Sequence, residues 1–483
     1  MSIINNENIL KVLNAYNQWW KTGKMPQGYS KSMKRFAYHE SEKAFKHKQL
    51  RRFVILSGTR RVGKTTIMYQ QIETLLNEGA NPKNILYVSF DNPLLKFCTI
   101  NDIADNYMSN ILYDENQDIY LFLDEIQYAQ DWNNWLKVFY DTNPSWRIVA
   151  TGSASPVLDK GMTESGTGRW ITIKVPTLSF YEYLELAGIE RIENNGMPAD
   201  LKIHDLQDLS QKEFNNIVNM LESLQKHFIR YITVGGFPEL VLSTDDMYAQ
   251  RILRDDIADK VLKRDIPALF GIRNVSILEK LFLYLCFNSS NIINYTTMSQ
   301  ALENVSVPTL QDYVDYLERA NLIYISEPIG AGGKQILKAK PKIYIVDSAI
   351  RNAVLMKDDI STDPVELGYV VETAVFRHIL ALAYRDNAKV GYFRDAKNDK
   401  EIDIVLQSVK NRMYVEVKYR DNSGVKTDNP LYNIAEKNDR VFVITKNSAD
   451  CGVMQLESGV PVVRIPVCAF LYLIGMEEYK GNI

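Results

Sequence analysis

From Phe53 to about residue 180, the chain alternates between short apolar runs and segments in which apolar residues recur every three or four positions. The first pattern is typical of buried strands and the second of amphipathic helices. Strands that alternate with helices predict a parallel sheet that is covered on both faces. We therefore expect an α/β fold here, with strands at residues 53–56, 85–91, 119–123, 147–150 and 171–175.

The pattern changes along the rest of the chain. Residues 181–272 are mostly helical, and residues 273–350 combine three helical stretches with two strands around a turn rich in Gly and Lys. Residues 351–483 follow the order α-β-β-β-α-β. With a helical segment at 1–45 and the α/β core at 46–180, these changes predict five segments.

Composition narrows the classes of protein without selecting one. The chain has 483 residues, 46% of them hydrophobic, and a net charge of −3, so nucleic-acid binding would need a local patch. Basic residues are in surplus between Lys31 and Arg52, where a solvated helical face is the favoured interpretation. The four cysteines lack C-x-x-C spacing and predict neither disulfides nor a zinc site. Without an apparent signal peptide or membrane-length run, we expect a soluble cytoplasmic protein with no membrane partner.

The strongest motif lies between the first predicted strand and a helix. Residues 58–65 follow the pattern G-x-x-x-x-G-K-T, in the strand–loop–helix context that a phosphate-binding loop requires. The glycines let backbone N–H groups point at phosphate oxygens, and the helix adds the positive end of its dipole. Lys64 would reach the β- and γ-phosphates, and Thr65 would offer its hydroxyl to Mg²⁺. We predict that ATP and Mg²⁺ bind a loop formed by Gly58, Thr59, Arg60, Arg61, Val62, Gly63, Lys64, Thr65 and Thr66.

A second motif follows the third predicted strand, where Asp124 and Glu125 end an apolar run. Ligands of open α/β sheets bind at this carboxyl edge. Asp124 would hold Mg²⁺ through water, and Glu125 would orient and deprotonate the attacking water. After the fourth strand, Ser153 is preferred over Thr151 and Ser155 as the contact to the γ-phosphate or that water. Acidic turn residues and a plain polar turn are the structural alternatives.

These features together resemble the AAA-type P-loop ATPases. In that family an arginine directly before the fifth strand often acts in trans on a neighbour's nucleotide, so the resemblance implies Arg169 as a catalytic residue and a homo-oligomer. It also implies that residues 181–272 form a helical lid, in which Arg230 would be the lid arginine or a surface residue. The stretches GTGRW, VPTLSFYEYL, YITVGGFPELV and VLKRDI resemble more narrowly a prokaryotic family. Its members join this ATPase to a winged helix and a C-terminal restriction-endonuclease-like domain.

Three helices followed by a hairpin make residues 273–350 a predicted winged helix-turn-helix. Reading of DNA by its third helix is disfavoured because that helix carries Asp312, Asp315 and Glu318 against one arginine, and acidic groups repel phosphates. We therefore expect a structural or protein-docking role for this segment, with DNA as a less favoured partner.

In residues 351–483, Asp403 lies on the second predicted strand and Glu416-x-Lys418 on the third, which resembles the PD-(D/E)XK nuclease family. Residues two apart on a strand face the same side, so Glu416 and Lys418 converge. Asp403 and Glu416 would hold Mg²⁺ against a scissile phosphate, and Lys418 would position or activate water. Glu372 on the preceding helix would add a metal-binding carboxylate, as in some members of that family. A remnant that binds without cutting fits the same residues.

Two functions from different classes fit the sequence. The first is an ATP-hydrolysing protein whose C-terminal nuclease-like domain acts on nucleic acid in an ATP-dependent manner. The second is a nucleotide-dependent switch whose C-terminal half docks a protein or nucleic acid without cleavage. The complete set of Asp403, Glu416 and Lys418 favours the first, and the net-acidic third helix of residues 273–350 favours the second.

Overall fold

The computed structural model describes residues 6–47, 49–95, 98–114, 117–152, 168–198, 200–330, 340–357, 360, 363–386, 388–395, 400–409, 411–420, 430–436 and 438–481. The chain forms two compact units, of which the first comprises residues 1–175 and 319–321 and the second comprises residues 176–318 and 322–481. The segments predicted as lid, winged helix and nuclease-like domain fall almost entirely in the second unit. The finer division into five segments stays a prediction.

A parallel sheet forms the centre of the first unit, as the alternating pattern predicts. Its described strands are β1 (Phe53–Ser57), β2 (Ile85–Ser89), β3 (Ile119–Asp124), β4 (Trp146–Gly152) and β5 (Trp170–Lys174). Their order is β2-β3-β4-β1-β5, and every neighbouring pair is parallel. Strand β1 is buried at every position, which explains its continuous apolar sequence. The carboxyl ends of β1, β3 and β4 therefore meet at one edge of the sheet.

The N-terminal helices of this unit protect the outer edge of its sheet. The Asn17 side chain donates to the Tyr87 carbonyl oxygen over 2.9 Å and accepts from the Tyr87 N–H over 2.6 Å. The indoles of Trp19 and Trp20 donate to the Ile85 carbonyl oxygen over 3.1 and 2.8 Å. These side chains satisfy the outward backbone groups of β2, which is an edge strand. The helices of the unit span Asn6–Tyr16, Trp19–Thr22, Phe36–Phe45, Lys64–Asn77, Ile100–Asn110 and Trp132–Thr142, with 3₁₀ turns at Pro82–Asn84 and Ile126–Tyr128.

The second unit combines many helices with a mixed sheet. Its α-helices span Phe180–Leu186, Gln211–Glu222, Gln225–Val234, Pro238–Val241, Asp246–Arg254, Ile266–Phe270, Val275–Phe287, Tyr295–Ala301, Val307–Arg319, Ser348–Leu355, Pro364–Asp386, Leu431–Ile434 and Val467–Lys480. A π-helix spans Asp255–Asp265, and 3₁₀ helices span Ile192–Asn195 and Ile203–Asp208. No helix in the described part of the chain is both long enough and apolar enough to cross a membrane.

The sheet of the second unit runs through both of its C-terminal segments. Its described strands are β6 (Asn291–Ile292), β7 (Ile323–Pro328), β8 (Lys342–Ile345), β9 (Lys389–Asp395), β10 (Lys400–Gln407), β11 (Arg412–Lys418), β12 (Arg440–Thr445), β13 (Gly452–Gln455) and β14 (Pro461–Pro466). Their order is β13-β14-β12-β11-β10-β9-β7-β8-β6. The β7–β8 hairpin is antiparallel, and β7 pairs in parallel with β9 at Glu327 and Gly391. Residues 273–350 and 351–483 therefore share one sheet.

A glycine pair, Gly235 and Gly236, holds distant stretches of the second unit together. A β-carbon at Gly235 would lie 2.2 Å from a carboxylate oxygen of Asp347, and one at Gly236 would lie 2.6 Å from the Leu178 carbonyl oxygen. The Gly236 N–H donates to Asp347 over 3.0 Å, and its carbonyl oxygen accepts from the Leu178 N–H over 2.7 Å. Burial raises the pKa of Asp347, and its backbone N–H donors oppose that effect. The close approach requires glycine, which gives the GGFPE stretch a packing role.

Candidate functional site

The phosphate-binding loop begins where β1 ends and closes at the start of the helix Lys64–Asn77. A β-carbon at Gly58 would lie 2.1 Å from the Val175 carbonyl oxygen, so only glycine fits there. Gly63 has a φ of +94°, a left-handed conformation that favours glycine. Both glycines of the motif are therefore required by the local backbone. The other loop residues divide into buried Thr59 and Val62 and partly buried Arg60, Arg61, Thr65 and Thr66.

The Lys64 side chain folds back into the loop. Its Nζ donates to the carbonyl oxygens of Gly58 and Thr59 over 2.8 and 3.0 Å. Burial lowers the pKa of Lys64, and the charges of Glu125 and Asp124 oppose that effect. Because these two acceptors are neutral, they leave the ammonium charge available to attract a polyphosphate.

Asp124 is the centre of the hydrogen-bond network at the carboxyl edge of the sheet. Its carboxylate accepts from the hydroxyls of Thr65, Tyr87 and Thr151 over 2.9, 2.8 and 2.5 Å. Burial and the charge of Glu125 raise the pKa of Asp124, while the hydroxyl donors lower it. The two residues predicted to hold Mg²⁺, Thr65 and Asp124, are in direct contact. Both present the oxygen atoms that Mg²⁺ prefers as ligands, so the residues fit this ion.

Glu125 follows β3 in a left-handed backbone conformation, with a φ of +52° and a ψ of +48°. Its N–H donates to the Thr151 hydroxyl over 2.9 Å, and its carboxylate accepts from the Gln127 side-chain amide. A residue other than glycine adopts this conformation at a cost of about 1–3 kcal/mol, so neighbouring contacts must hold it there. The Thr151 hydroxyl is such a contact, because it accepts from Glu125 and donates to Asp124. One side chain on β4 thus orients both acidic residues.

Sequence reasoning prefers Ser153 over Thr151 as the polar contact after β4. Ser153 lies outside the described residues, whereas Thr151 is fully buried and contacts both acidic residues. Sequence patterns do not indicate Tyr87, which donates to Asp124 from β2. Burial raises the pKa of Tyr87 well above its ordinary value, so its hydroxyl remains a donor. Thr151 and Tyr87 could have been predicted from their positions, since they lie on the two strands that flank β3.

The segment before β1 also reaches the loop, which the sequence does not indicate. Arg35 is buried, and its guanidinium donates to the Val62 carbonyl oxygen over 2.7 Å. The amide of Gln70, on the helix after the loop, donates to the carbonyl oxygens of Lys31 and Met33, each over 2.7 Å. Residues 31–35 therefore help to fix the loop and its helix.

Arg169 lies at the sheet edge opposite the phosphate-binding loop. It directly precedes β5, whose first residue Trp170 pairs with Phe53 at the start of the parallel strand β1. Its guanidinium binds both carboxylate oxygens of Asp141, over 2.9 and 3.0 Å. This contact raises the pKa of Arg169 and lowers that of Asp141. A role for Arg169 in nucleotide turnover therefore requires a second copy of the chain.

Arg230 makes an extensive set of contacts within the second unit. Its guanidinium donates to the Asp246 carboxylate over 3.0 Å and to the Tyr183 hydroxyl over 3.2 Å. It also donates to the carbonyl oxygens of Val241 and Ser243 over 3.1 and 2.6 Å. These contacts favour a structural role over that of a lid arginine.

In the second unit, the structure brings Asp403, Glu416 and Lys418 together on adjacent strands. Ile404 of β10 pairs with Val415 of β11, so Asp403 and Glu416 occupy the next cross-strand position. Asp403 accepts from a backbone N–H of β11 over 2.8 Å, and Lys418 forms an ion pair with Glu416. The two carboxylates and the lysine thus lie on one face of the sheet.

Two further residues belong to this cluster, Glu372 from the helix Pro364–Asp386 and Lys342 from β8. Glu372 accepts from Lys342 over 2.7 Å and from a tyrosine hydroxyl over 2.8 Å. Burial is the largest cause that raises the pKa of Glu372 to about 7 and that of Glu416 to about 8, and the charge of Asp403 adds to both shifts. The helix and strand patterns of the sequence do not connect Lys342 with these carboxylates.

Within the described ranges, no group of three or more His, Cys, Asp and Glu side chains is arranged to hold a metal ion. A P-loop site does not need such a group, because Thr65, Asp124 and the phosphates of a nucleotide would supply the ligands. For Glu372, Asp403 and Glu416, metal binding stays a prediction.

Comparison with known proteins agrees with the architecture of the first unit. Residues 50–184 match the family described as AAA domain. Residues 225–361 and 367–467 match two domains of unknown function, DUF8612 and DUF4143. The chain is 26% identical over 401 residues to an uncharacterized protein of Haemophilus influenzae, which covers 81% of this chain and 88% of that protein. It is also 26% identical over 420 residues to an uncharacterized protein of Methanocaldococcus jannaschii, which covers 85% of each.

Similarity to solved structures is weak. The RuvB Holliday junction branch migration motor of Thermotoga maritima is 16% identical with a TM-score of 0.25, covering 66% of this chain and 89% of that one. AMPPCP-bound DnaA from Aquifex aeolicus is 15% identical with a TM-score of 0.26, covering 61% and 92%. Likeness at this level supports no functional inference. The strand order, the loop and the AAA match define the class of the first unit, an AAA-type P-loop nucleotide-binding domain.

Proposed function

We propose that this chain binds ATP with Mg²⁺ at the phosphate-binding loop and hydrolyses it. The observation that carries the proposal is the network in which Asp124 accepts from Thr65 and Thr151 while Thr151 accepts from Glu125. This network connects Thr65 and Asp124, whose oxygen atoms suit Mg²⁺, with Glu125, whose carboxylate suits the activation of water. It lies at the edge where ligands of such sheets bind.

Each residue has a separate role in the proposed reaction. The backbone N–H groups of residues 58–65 surround the phosphates, and the Lys64 ammonium neutralises their β and γ charges. Thr65 would hold Mg²⁺ through its hydroxyl and Asp124 would hold it through water, and the ion would neutralise phosphate charge. Glu125 orients the attacking water and accepts its proton. Thr151 keeps the two carboxylates in place.

Two variants separate nucleotide binding from turnover. Lys64→Ala should abolish tight binding of a fluorescent ATP analogue. Glu125→Gln should bind the analogue but not hydrolyse ATP, because the amide keeps the shape and removes the base. Glu78→Gln, at an exposed position directly after the helix Lys64–Asn77, is the matched control and should retain both properties. Unchanged affinity in Lys64→Ala would refute the site, and wild-type turnover in Glu125→Gln would assign the base to another residue.

The chain is further proposed to work as a homo-oligomer in which Arg169 completes a neighbour's nucleotide site. The position of Arg169 at the opposite sheet edge supports this proposal, because a nucleotide bound at the loop of the same chain would lie out of reach of its guanidinium. The ion pair with Asp141 would hold the guanidinium until a neighbouring copy offers a γ-phosphate.

A second candidate function concerns the second unit, which is proposed to act on nucleic acid through a PD-(D/E)XK nuclease-like centre. The convergence of Asp403, Glu416 and Lys418 on β10 and β11 favours it. The helices Val275–Phe287, Tyr295–Ala301 and Val307–Arg319, with the β7–β8 hairpin, are proposed as a winged helix that docks a protein or DNA.

Incubation of the full chain with DNA or RNA, ATP, and Mg²⁺ or Mn²⁺ separates cleavage from docking. If the centre cuts, Asp403→Asn should abolish cleavage while ATP hydrolysis persists. Binding of nucleic acid or a protein without cleavage under all these conditions would favour the alternative, a nucleotide-dependent switch.

A further inference from the structure

The carboxylate cluster of the second unit contains a cation of its own. Lys342 extends from β8, and its side chain is only 2% exposed. Its Nζ lies 2.7 Å from a Glu372 carboxylate oxygen and 2.6 Å from one of Glu401. A third carboxylate, that of Asp403, lies 3.9 Å away. One buried ammonium is therefore shared by acidic residues of a helix and of β10.

The charge state of Lys342 follows from this packing. A buried ammonium is strongly disfavoured unless carboxylates compensate the lost solvation. The carboxylates of Glu372 and Glu401, 2.7 and 2.6 Å from Nζ, supply this compensation. Lys342 therefore carries a positive charge at the centre of the cluster.

A divalent metal ion would need the same place. Mg²⁺ binds carboxylate oxygens at about 2.0–2.1 Å, so an ion shared by Glu372 and Asp403 would lie against the Lys342 ammonium. Two cations at such a distance repel each other strongly in a buried site. With Lys342 in place, the residues do not fit a resident metal ion, in agreement with the lack of a metal-binding group in the described part of the chain.

We propose that Lys342 is the internal counter-ion of this cluster, occupying the position that a divalent metal ion would need, so that the cluster accepts a metal ion only when Lys342 is removed or displaced. Glu401 becomes a member of the cluster through this contact. The inference is independent of ATP hydrolysis in the first unit, and metal-dependent cleavage at this cluster would first require displacement of Lys342.

Binding of Mn²⁺ to the nucleotide-free full chain, measured by the electron paramagnetic resonance signal of free Mn²⁺, tests the proposal. Lys342→Met removes the charge and keeps an unbranched side chain of similar volume. The variant should bind Mn²⁺ at least about tenfold more tightly than the wild type. Adding Asp403→Asn should abolish this gain. The unfolding temperature of Lys342→Met should also rise with Mn²⁺, while that of the wild type should not respond.

Lys340→Met is the matched control, because Lys340 is an exposed lysine two residues earlier. It should bind Mn²⁺ like the wild type. Where uncompensated carboxylates prevent Lys342→Met from folding, the double variant Lys342→Met/Glu372→Gln removes one charge of each sign. It leaves Glu401, Asp403 and Glu416 to bind the ion, and it should fold and gain Mn²⁺ affinity.

Two results would overturn the proposal. The first is a wild-type protein that binds Mn²⁺ as tightly as Lys342→Met and loses that binding in Asp403→Asn. The second is a folded Lys342→Met or double variant that gains no Mn²⁺ affinity.

Discussion

Replacing Thr151 with valine removes one hydroxyl and keeps the shape of the side chain. That hydroxyl donates to Asp124 over 2.5 Å and accepts from the Glu125 N–H over 2.9 Å. Thr151→Val therefore deletes a hydrogen bond to a carboxylate and a hydrogen bond from the backbone. It also removes the contact that holds Glu125 in its left-handed conformation.

The expected loss of stability follows from these two bonds. A hydrogen bond to a charged group contributes about 1.5–3 kcal/mol and a neutral one about 0.5–1.5 kcal/mol. Asp124 keeps its bonds from Thr65 and Tyr87, so the lower part of the combined range applies, about 2–3 kcal/mol. At roughly 2–4 °C per kcal/mol, the unfolding midpoint of the first unit should fall by about 4–12 °C. Because Glu125 is no longer positioned, ATP turnover should fall by roughly tenfold or more, with little change in analogue affinity.

Thermal unfolding and steady-state ATP hydrolysis measure these effects. Thr297→Val makes the same chemical change at an exposed position of the second unit and should change neither quantity. Tyr87→Phe removes a donor to Asp124 without touching Glu125, so it should lower stability and spare turnover. A Thr151→Val protein that unfolds and hydrolyses ATP like Thr297→Val would refute the reasoning.

Other positions allow equally direct tests. The pKa of Glu416 is raised from 4.5 to about 8, so the folded chain binds more protons in that window and loses stability as the pH rises through it. In unfolding measurements at several pH values, Glu416→Gln should reduce this loss of stability, whereas the exposed Glu457→Gln should not. Equal slopes of stability against pH in the wild type and both variants would exclude the effect. Gly236→Ala should lower the unfolding midpoint sharply, because the new β-carbon would lie 2.6 Å from a backbone oxygen. Gly368 lies in a helix with open space around its α-carbon, so Gly368→Ala should leave stability unchanged or raise it by up to ~1 kcal/mol. Similar unfolding midpoints for Gly236→Ala and Gly368→Ala would contradict this expectation. Arg169→Ala should still bind the ATP analogue but should no longer hydrolyse ATP. A wild-type protein that is fully active yet sediments only as a monomer in the presence of ATP would rule out the action of Arg169 in trans.

Local patterns predict the first unit well because its site is built from short contiguous stretches. The five strands lie where the apolar runs predict them, and β1 is buried at every position. Parallel order then brings the ends of β1 and β3 together, so that Lys64, Thr65 and Asp124 meet as expected. The strand pattern alone does not indicate Thr151, since its role depends on its side chain turning towards β3.

Contacts between distant residues carry no periodic signal and could not be predicted in this way. Lys342 and Glu401 are separated by 59 positions and belong to different predicted segments. Gly236 and Asp347 are separated by 111 positions. Both contacts depend on how elements of the second unit pack, including the pairing of β7 with β9, which the helix and strand patterns leave open.

The two centres differ in the charge that surrounds their lysines, and this difference bears on the ligand that each one would attract. Lys64 donates to two neutral carbonyl oxygens, so its direct partners do not cancel its charge. Lys342 instead contacts two carboxylates directly, with a third within 3.9 Å, and Lys418 is paired with another. When these groups are ionised, carboxylates outnumber ammonium groups in the second centre, and an approaching phosphate meets net negative charge. A phosphate at the loop would therefore meet a lysine whose direct partners are neutral, whereas at the second centre it would require an added cation, which would first have to displace Lys342.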